Sequence, residues 1–109
     1  MDPATVICHY RVRAGQEPAF LALLERHWPA LRRLGLATDE PSRVYRGADA
    51  KGRPMFWEIF DWVNGEAAEK AHMHPEIAAI WEPMDALCES RDGQRNMEFP
   101  HVEALRFPW

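Results

Sequence analysis

Cysteine is scarce in this chain: only Cys8 and Cys88 occur, too few for a disulfide framework. They are read as two buried, reduced thiols. No Cys-x-x-Cys pair occurs, so the spacing of a cysteine zinc site is missing and no metal is expected. Basic character is equally short. Thirteen Lys and Arg stand against 17 Asp and Glu, for a formal net charge of −4, and the two signs are interleaved. Without a phosphate-neutralising stripe, nucleic acid is not an expected partner. No apolar run approaches the roughly 18 residues that span a bilayer, so no membrane partner is expected either. The start, Met1-Asp2-Pro3-Ala4, lacks the basic residues and apolar segment of a secretion signal, and the expected address is cytoplasmic. No Ser/His/Asp order, phosphate-cradling glycine loop or metal-ligand spacing stands out.

What the chain does have is grease. Its 109 residues are 47% hydrophobic and include five Trp. That length suits one domain, residues 1–109. A domain this small buries a limited share of its surface. So large an apolar load implies either a second subunit or a ligand pocket, and a homodimer is the expected partner arrangement.

Periodicity divides the chain into elements. Thr5 to Arg13 reads as a strand, with Val6, Cys8, Tyr10 and Val12 on one face and His9 on the other. Gln16 to Leu34 reads as a helix, whose apolar stripe is Phe20, Leu23, Leu24, His27, Leu31 and Leu34. Pro18 fits its first turn, Pro29 predicts a kink or break, and Gly35 ends it. Ser42 to Arg46 is a short strand, Asp49 to Gly52 a hairpin turn. Pro54 to Val63 is the strongest strand, aromatic and β-branched enough to be central. Asn64 is a helix N-cap for Gly65 to Met73. His74-Pro75 interrupts, and a further helix carries Ile77, Ile80, Trp81, Met84, Leu87 and Cys88 on one stripe, with a kink or split expected at Pro83. Arg91-Asp92-Gly93 is a turn, and Asn96 to Leu105 a last strand. Pro100 marks that strand as a sheet edge or a bulge, because proline donates nothing to the ladder.

The resulting order is strand, helix, strand, strand, helices, strand. It predicts an α+β fold, a ferredoxin-like split βαβ with an antiparallel sheet. Helices cover one sheet face, and two sheets packed face to face would hide the other.

The run from Phe56 to Met84 (FWEIFDWVNGEAAEKAHMHPEIAAIWEPM) resembles the antibiotic biosynthesis monooxygenase family. The resemblance rests on an apolar strand, Glu66-Ala67 opening a helix, then Ala71-His72 and the turn at His74-Pro75. The opening strand that ends at Ala14-Gly15-Gln16-Glu17, ahead of Phe20, is also similar. The resemblance implies a dimeric α/β barrel, with a pocket in each subunit between sheet and helices. It also implies oxygenation of aromatic or quinol-like substrates without metal or flavin, through an electron-rich substrate anion that reacts with oxygen itself. No cofactor is therefore expected. Haem-binding or haem-degrading relatives carry an Asn in the first strand and a Trp and a His in the later helices. Counted along this chain, those positions fall at Cys8, Ala71 and Trp81, so the haem reading is disfavoured.

Several residues are candidates for the chemistry. His72, His27 and Glu58 are the catalytic ones. Imidazole near neutral pH suits proton abstraction from a phenol or enol. His27 stands on an apolar stripe, where the alternative is a satisfied core histidine. Glu58 lies among Phe56, Trp57, Ile59 and Phe60, and a lone buried carboxylate is costly. It therefore reaches water, pairs with a group such as Arg43, Arg46 or a histidine, or acts as a pocket base with a raised pKa. Candidates for substrate binding are His74, Trp57, Trp62, Trp81, Phe60 and Tyr45. The alternative for His74 is a cap on the C-terminus of the preceding helix, and for the aromatics a place in the core. Trp109, at the end of a short tail from Arg106, is a candidate clasp on the partner subunit.

Two functions are in competition. One is a cofactor-independent monooxygenase acting on a small aromatic ligand. The other is a dimeric binding or accessory module with no chemistry, favoured by the want of a sharp catalytic constellation.

Overall fold

The computed structural model describes residues 2–109. Its elements run β1 (Ala4–Tyr10), α1 (Glu17–Arg33), β2 (Arg43–Ala48), β3 (Pro54–Trp62), α2 (Ala67–His72), α3 (Pro75–Ala86), β4 (Met97–Glu98) and β5 (His101–Val102). The sheet order is β2-β3-β1-β4, with β5 also on β1, and every pair is antiparallel. This is the expected ferredoxin-like α+β arrangement, with the apolar β3 at the centre beside β1.

Alternation along the strands decides which side chains meet the helices. In β1 the buried residues are Val6, Cys8 and Tyr10. Their partners across β3 are Phe60, Glu58 and Phe56, also buried. α1 packs on this face: the Phe20 ring lies 5.0 Å from Tyr10 and 5.7 Å from Phe56. Leu24, His27, Ala30 and Leu31 continue its buried stripe. From α3 come Ile77, Ile80 and Met84. The other sheet face carries Thr5, Ile7 and His9 beside Asp61, Ile59 and Trp57, all half-buried.

Of the kink or break expected at each internal proline, the break does not occur. α1 runs through Pro29 and α3 through Pro83. Each proline costs one backbone hydrogen bond. The apolar stripes on both sides of it remain buried, and that tertiary packing outweighs the local penalty. Pro18 sits in the first turn of α1, and Pro75 opens α3, as their missing N–H groups allow.

The last strand is shorter than predicted. Asn96 to Leu105 resolves into β4 and β5, with Phe99-Pro100 between them. Pro100 has no N–H to donate, yet its carbonyl accepts from Ile7 N at 3.0 Å, so the edge stays attached to β1. The tail beyond Val102 is exposed, including Leu105, Phe107 and Trp109.

Loops follow local chemistry. Asp49 Oδ1 accepts from the backbone N–H of Lys51 and of Arg53, both at 2.9 Å, which closes the β2–β3 hairpin as an Asx turn. Gly52 supplies the positive φ of 80° that this turn needs. Asn64 Oδ1 accepts from Glu66 N at 2.9 Å and so leads the chain into α2.

Candidate functional site

A cavity of about 590 Å³ lies between the helices and the sheet, within the usual range for a small-molecule site. β1 and β3 supply Val6, Cys8, Phe60 and Trp62, while Trp81 of α3 and His27 of α1 close the far side. Exposed residues form its rim: His72 at the end of α2, Glu82 and Asp85 on α3, and Phe99 and His101 on the edge segment.

His27 is the best-anchored polar group on this wall. It is 2% exposed. Its Nδ1 lies 2.9 Å from Glu58 Oε1. Its Nε2 accepts the indole N–H of Trp81 at 2.7 Å. An indole nitrogen is only a donor, so Nε2 must be the lone-pair nitrogen and Nδ1 must carry the proton toward Glu58. The ring is held as the neutral Nδ1–H tautomer. Phe60 meets it edge-on at 5.7 Å, and His72 meets Trp81 edge-on at 4.7 Å.

Glu58 is 1% exposed and stands behind His27. Tyr10 OH donates to Oε1 at 2.7 Å, and Ser42 Oγ donates to Oε2 at 2.9 Å. Burial pushes the carboxyl pKa up, but His27 and the two hydroxyls outweigh it and hold the group below the ordinary carboxylate range. The histidine partner that the sequence offered for Glu58 is present, and two other expectations are corrected. Glu58 has no arginine partner, and its pKa is lowered, not raised. The guanidinium of Arg46 instead stacks over Phe56 at 5.2 Å. The same anion, after burial, raises the pKa of the Cys8 thiol and the Tyr10 phenol well above their usual values, so both keep their protons. Burial also pushes the Cys88 thiol up, to about 12.

His27, His72, Trp62, Trp81 and Phe60 come together around the cavity, with Glu58 bonded to the first of them. The other candidates lie elsewhere. Trp57 and Tyr45 are cross-strand partners on the opposite sheet face, where Trp57 touches His9 and Tyr45 is exposed. A strand's period of two separates Trp57 from its neighbours Phe56 and Glu58. His74 caps the N-terminus of α3, its Nδ1 accepting from Glu76 N at 3.2 Å. The expected cap on the preceding helix is therefore corrected: Pro75 directs His74 into extended backbone, which is the geometry of an N-cap.

Tyr10 and Ser42 were missed by sequence reasoning, as were Met97, Phe99 and His101 on the cavity wall. Tyr10 carried a signal, because a phenol on the buried face of a central strand needs a partner. Among the described residues, no group of three or more His, Cys, Asp and Glu is placed to hold a metal ion, and no helix is long and apolar enough to cross a membrane. Trp62 is 4% exposed, and its indole N–H finds no partner among the described residues.

No protein-family model matches the chain, and no curated protein matches it in sequence. Solved structures do match its backbone. SnoaB, a cofactor-independent oxygenase from Streptomyces nogalater, superposes with a TM-score of 0.74 at 16% identity, covering 99% of this chain and 98% of that one. An antibiotic biosynthesis monooxygenase gives 0.71 at 14% identity, over 94% and 99%. A dimeric ferredoxin-like protein of unknown function from Jannaschia sp. CCS1 gives 0.67 at 13% identity, over 94% and 99%. The fold is that of the antibiotic biosynthesis monooxygenases. At these identities the likeness concerns the backbone, and chemistry has to be argued from the site.

Proposed function

We propose that this antibiotic biosynthesis monooxygenase-like chain is a cofactor-independent oxygenase that acts on a small aromatic, quinol-type substrate in the cavity between sheet and helices. One observation carries the reading: a neutral imidazole, backed by a buried carboxylate, on the wall of an aromatic cavity. Glu58 orients the ring and stabilises the imidazolium that forms when a proton arrives, as a carboxylate does behind a general base. Phe60, Trp62 and Trp81 provide flat apolar walls for an aromatic ring. His72 and His101 supply polar contacts at the rim.

The chemistry balances without a cofactor. Loss of an acidic proton from a substrate methylene or hydroxyl leaves an electron-rich anion. The anion reduces molecular oxygen; one oxygen atom ends as a substrate carbonyl and the other leaves as water. The protein's share is to take the proton, hold the ring and exclude bulk water. The likeness in backbone to a cofactor-independent oxygenase supports this reading.

A homodimer is part of the proposal. The half-buried face of Ile7, Trp57 and Ile59 and the exposed apolar tail support it, as does the likeness to a dimeric protein.

The test is oxygen uptake by the purified protein offered hydroquinones, naphthoquinols and polyphenols. Uptake above the buffer rate is expected with at least one, and His27→Gln lowers it by about two to four orders of magnitude, the usual worth of a general base. A full panel at background would overturn the reading. A second reading, binding without chemistry, has one observation in its favour: both nitrogens of His27 are already engaged.

A further inference from the structure

The base proposed above is covered. His27 Nε2 is the nitrogen turned away from Glu58, and the Trp81 indole N–H occupies its lone pair at 2.7 Å. A base whose lone pair is occupied takes no proton. The two partners of His27 differ in how firmly they are held. Glu58 is enclosed and bonded by two further hydroxyls. Trp81 is half-buried on the cavity wall; its only hydrogen bond among the described residues is the one to His27, and its other ring neighbour is the exposed His72. Replacing the Trp81 bond therefore costs one hydrogen bond and a rotation toward the cavity, where water or ligand satisfies the indole. Replacing the Glu58 bond takes one of three donors from a fully buried anion, with no water to fill its place, which is far costlier.

We propose that Trp81 holds the place of the substrate's hydroxyl: a ligand enters productively only if it carries an O–H that displaces the indole N–H from His27 Nε2. Trp81 is thus a specificity-determining residue. It selects hydroxylated aromatics such as phenols and enols over ethers or hydrocarbons of equal size, because only a donor repays the hydrogen bond that is lost. The step that follows is a proton transfer. The ligand O–H bond breaks, its electron pair stays on the oxygen, the proton goes to Nε2, and Glu58 compensates the new positive charge. The inference rests on the role proposed for His27, but not on any reaction with oxygen.

The probe is 4-nitrophenol, whose phenolate is yellow, with 4-nitroanisole as the counterpart without a donor. In the wild-type protein carrying fluorotryptophan, the Trp81 fluorine resonance, assigned by its loss in Trp81→Phe, is expected to shift when nitrophenol binds. It should stay in place with nitroanisole. Trp81→Phe, which keeps an aromatic ring but removes the N–H, is expected to bind nitrophenol about fivefold to tenfold more tightly, the equivalent of one hydrogen bond no longer broken, with nitroanisole affinity unchanged. In the same variant the His27 Nε2 nitrogen resonance moves toward that of a free imidazole nitrogen, because the indole N–H that occupied its lone pair is gone; an unmoved resonance would overturn the proposal. A Trp81 resonance that ignores saturating nitrophenol, equal gains for both ligands, or failure of nitrophenol to bind either protein overturns the proposal. If nitrophenol behaves as expected while no quinol consumes oxygen, the oxygenase reading falls and this inference stands. If oxygen is consumed while Trp81 stays in place, the reverse holds.

Discussion

His27 and Glu58 meet through Nδ1 and Oε1 at 2.9 Å, with the side chains 2% and 1% exposed. The carboxylate stays charged in this setting because three donors converge on its two oxygens: His27, Tyr10 and Ser42. A buried carboxylate so supplied ties helix α1 to strands β1 and β3 and to the loop before β2.

Acid should loosen this tie. In an unfolded chain Glu58 takes up its proton near about pH 4.3, and in the folded protein at a lower pH. The unfolded state therefore binds more protons in that window, and stability rises with pH. The contribution is complete above about pH 4.3 and is lost as the pH falls through the folded value. Urea midpoints measured across the acid range should fall more steeply for the wild type than for Glu58→Gln. The variant should also be less stable at neutral pH by about 1–3 kcal/mol, since it leaves donors short of an acceptor. Identical acid slopes would refute the lowered pKa.

Arg91 predicts a large loss on substitution. It is 4% exposed, and its guanidinium bonds the carbonyls of Val12 at 2.5 Å and Pro54 at 2.7 Å, as well as Glu89 and Asp49. Removing it leaves the two carbonyls without their donor and takes one cation from Glu89 and from Asp49, which keeps Arg53. Arg91→Met should cost about 3–5 kcal/mol by chemical denaturation, and Arg91→Lys should recover little, because a point charge does not reproduce the fork. A variant within 1 kcal/mol of the wild type (about a fivefold change in the folding equilibrium) would contradict this.

Gly47 has a steric task. A Cβ built there would lie 2.6 Å from the Trp57 ring, closer than packed atoms approach. Gly47→Ala should destabilise by about 1–3 kcal/mol, the typical cost of overpacking. Pairing it with Trp57→Leu should return part of that loss, which a double-mutant cycle measures. Additive losses would show that the clash is relieved elsewhere.

The proposed homodimer makes its own prediction. Ile59 sits opposite Ile7 on the open sheet face. Sedimentation at micromolar concentration should give twice the mass of one chain, and Ile59→Arg should shift it toward one chain, since an unpaired charge is costly within an apolar interface. A folded wild-type monomer at that concentration would rule the pairing out.

The pattern of hydrophobic residues was enough to determine the order of the elements up to the last strand, and the buried faces of β1 and α1. Val6, Cys8 and Tyr10 announce one side of β1 by their period, and Phe20, Leu24, His27 and Leu31 announce one side of α1. Glycine placed the turns at 49–52 and 91–93. Pro100 marked the sheet edge, although the break into two short strands needed the tertiary pairing.

Partners were another matter. Glu58 was recognisable as a carboxylate that must be satisfied, but the residues satisfying it stand 48, 31 and 16 positions away. Periodicity assigns a side chain to a face and says nothing about which element crosses above it. The Trp81 cap on His27 spans 54 positions and exists only because α3 packs beside α1 over the sheet. Pro29 and Pro83 were read as kinks or breaks because local penalties are visible in a sequence, whereas the burial that carries each helix through its proline is a sum over the assembled core. Sequence thus decided which groups had to be buried, and tertiary structure decided which of them touch.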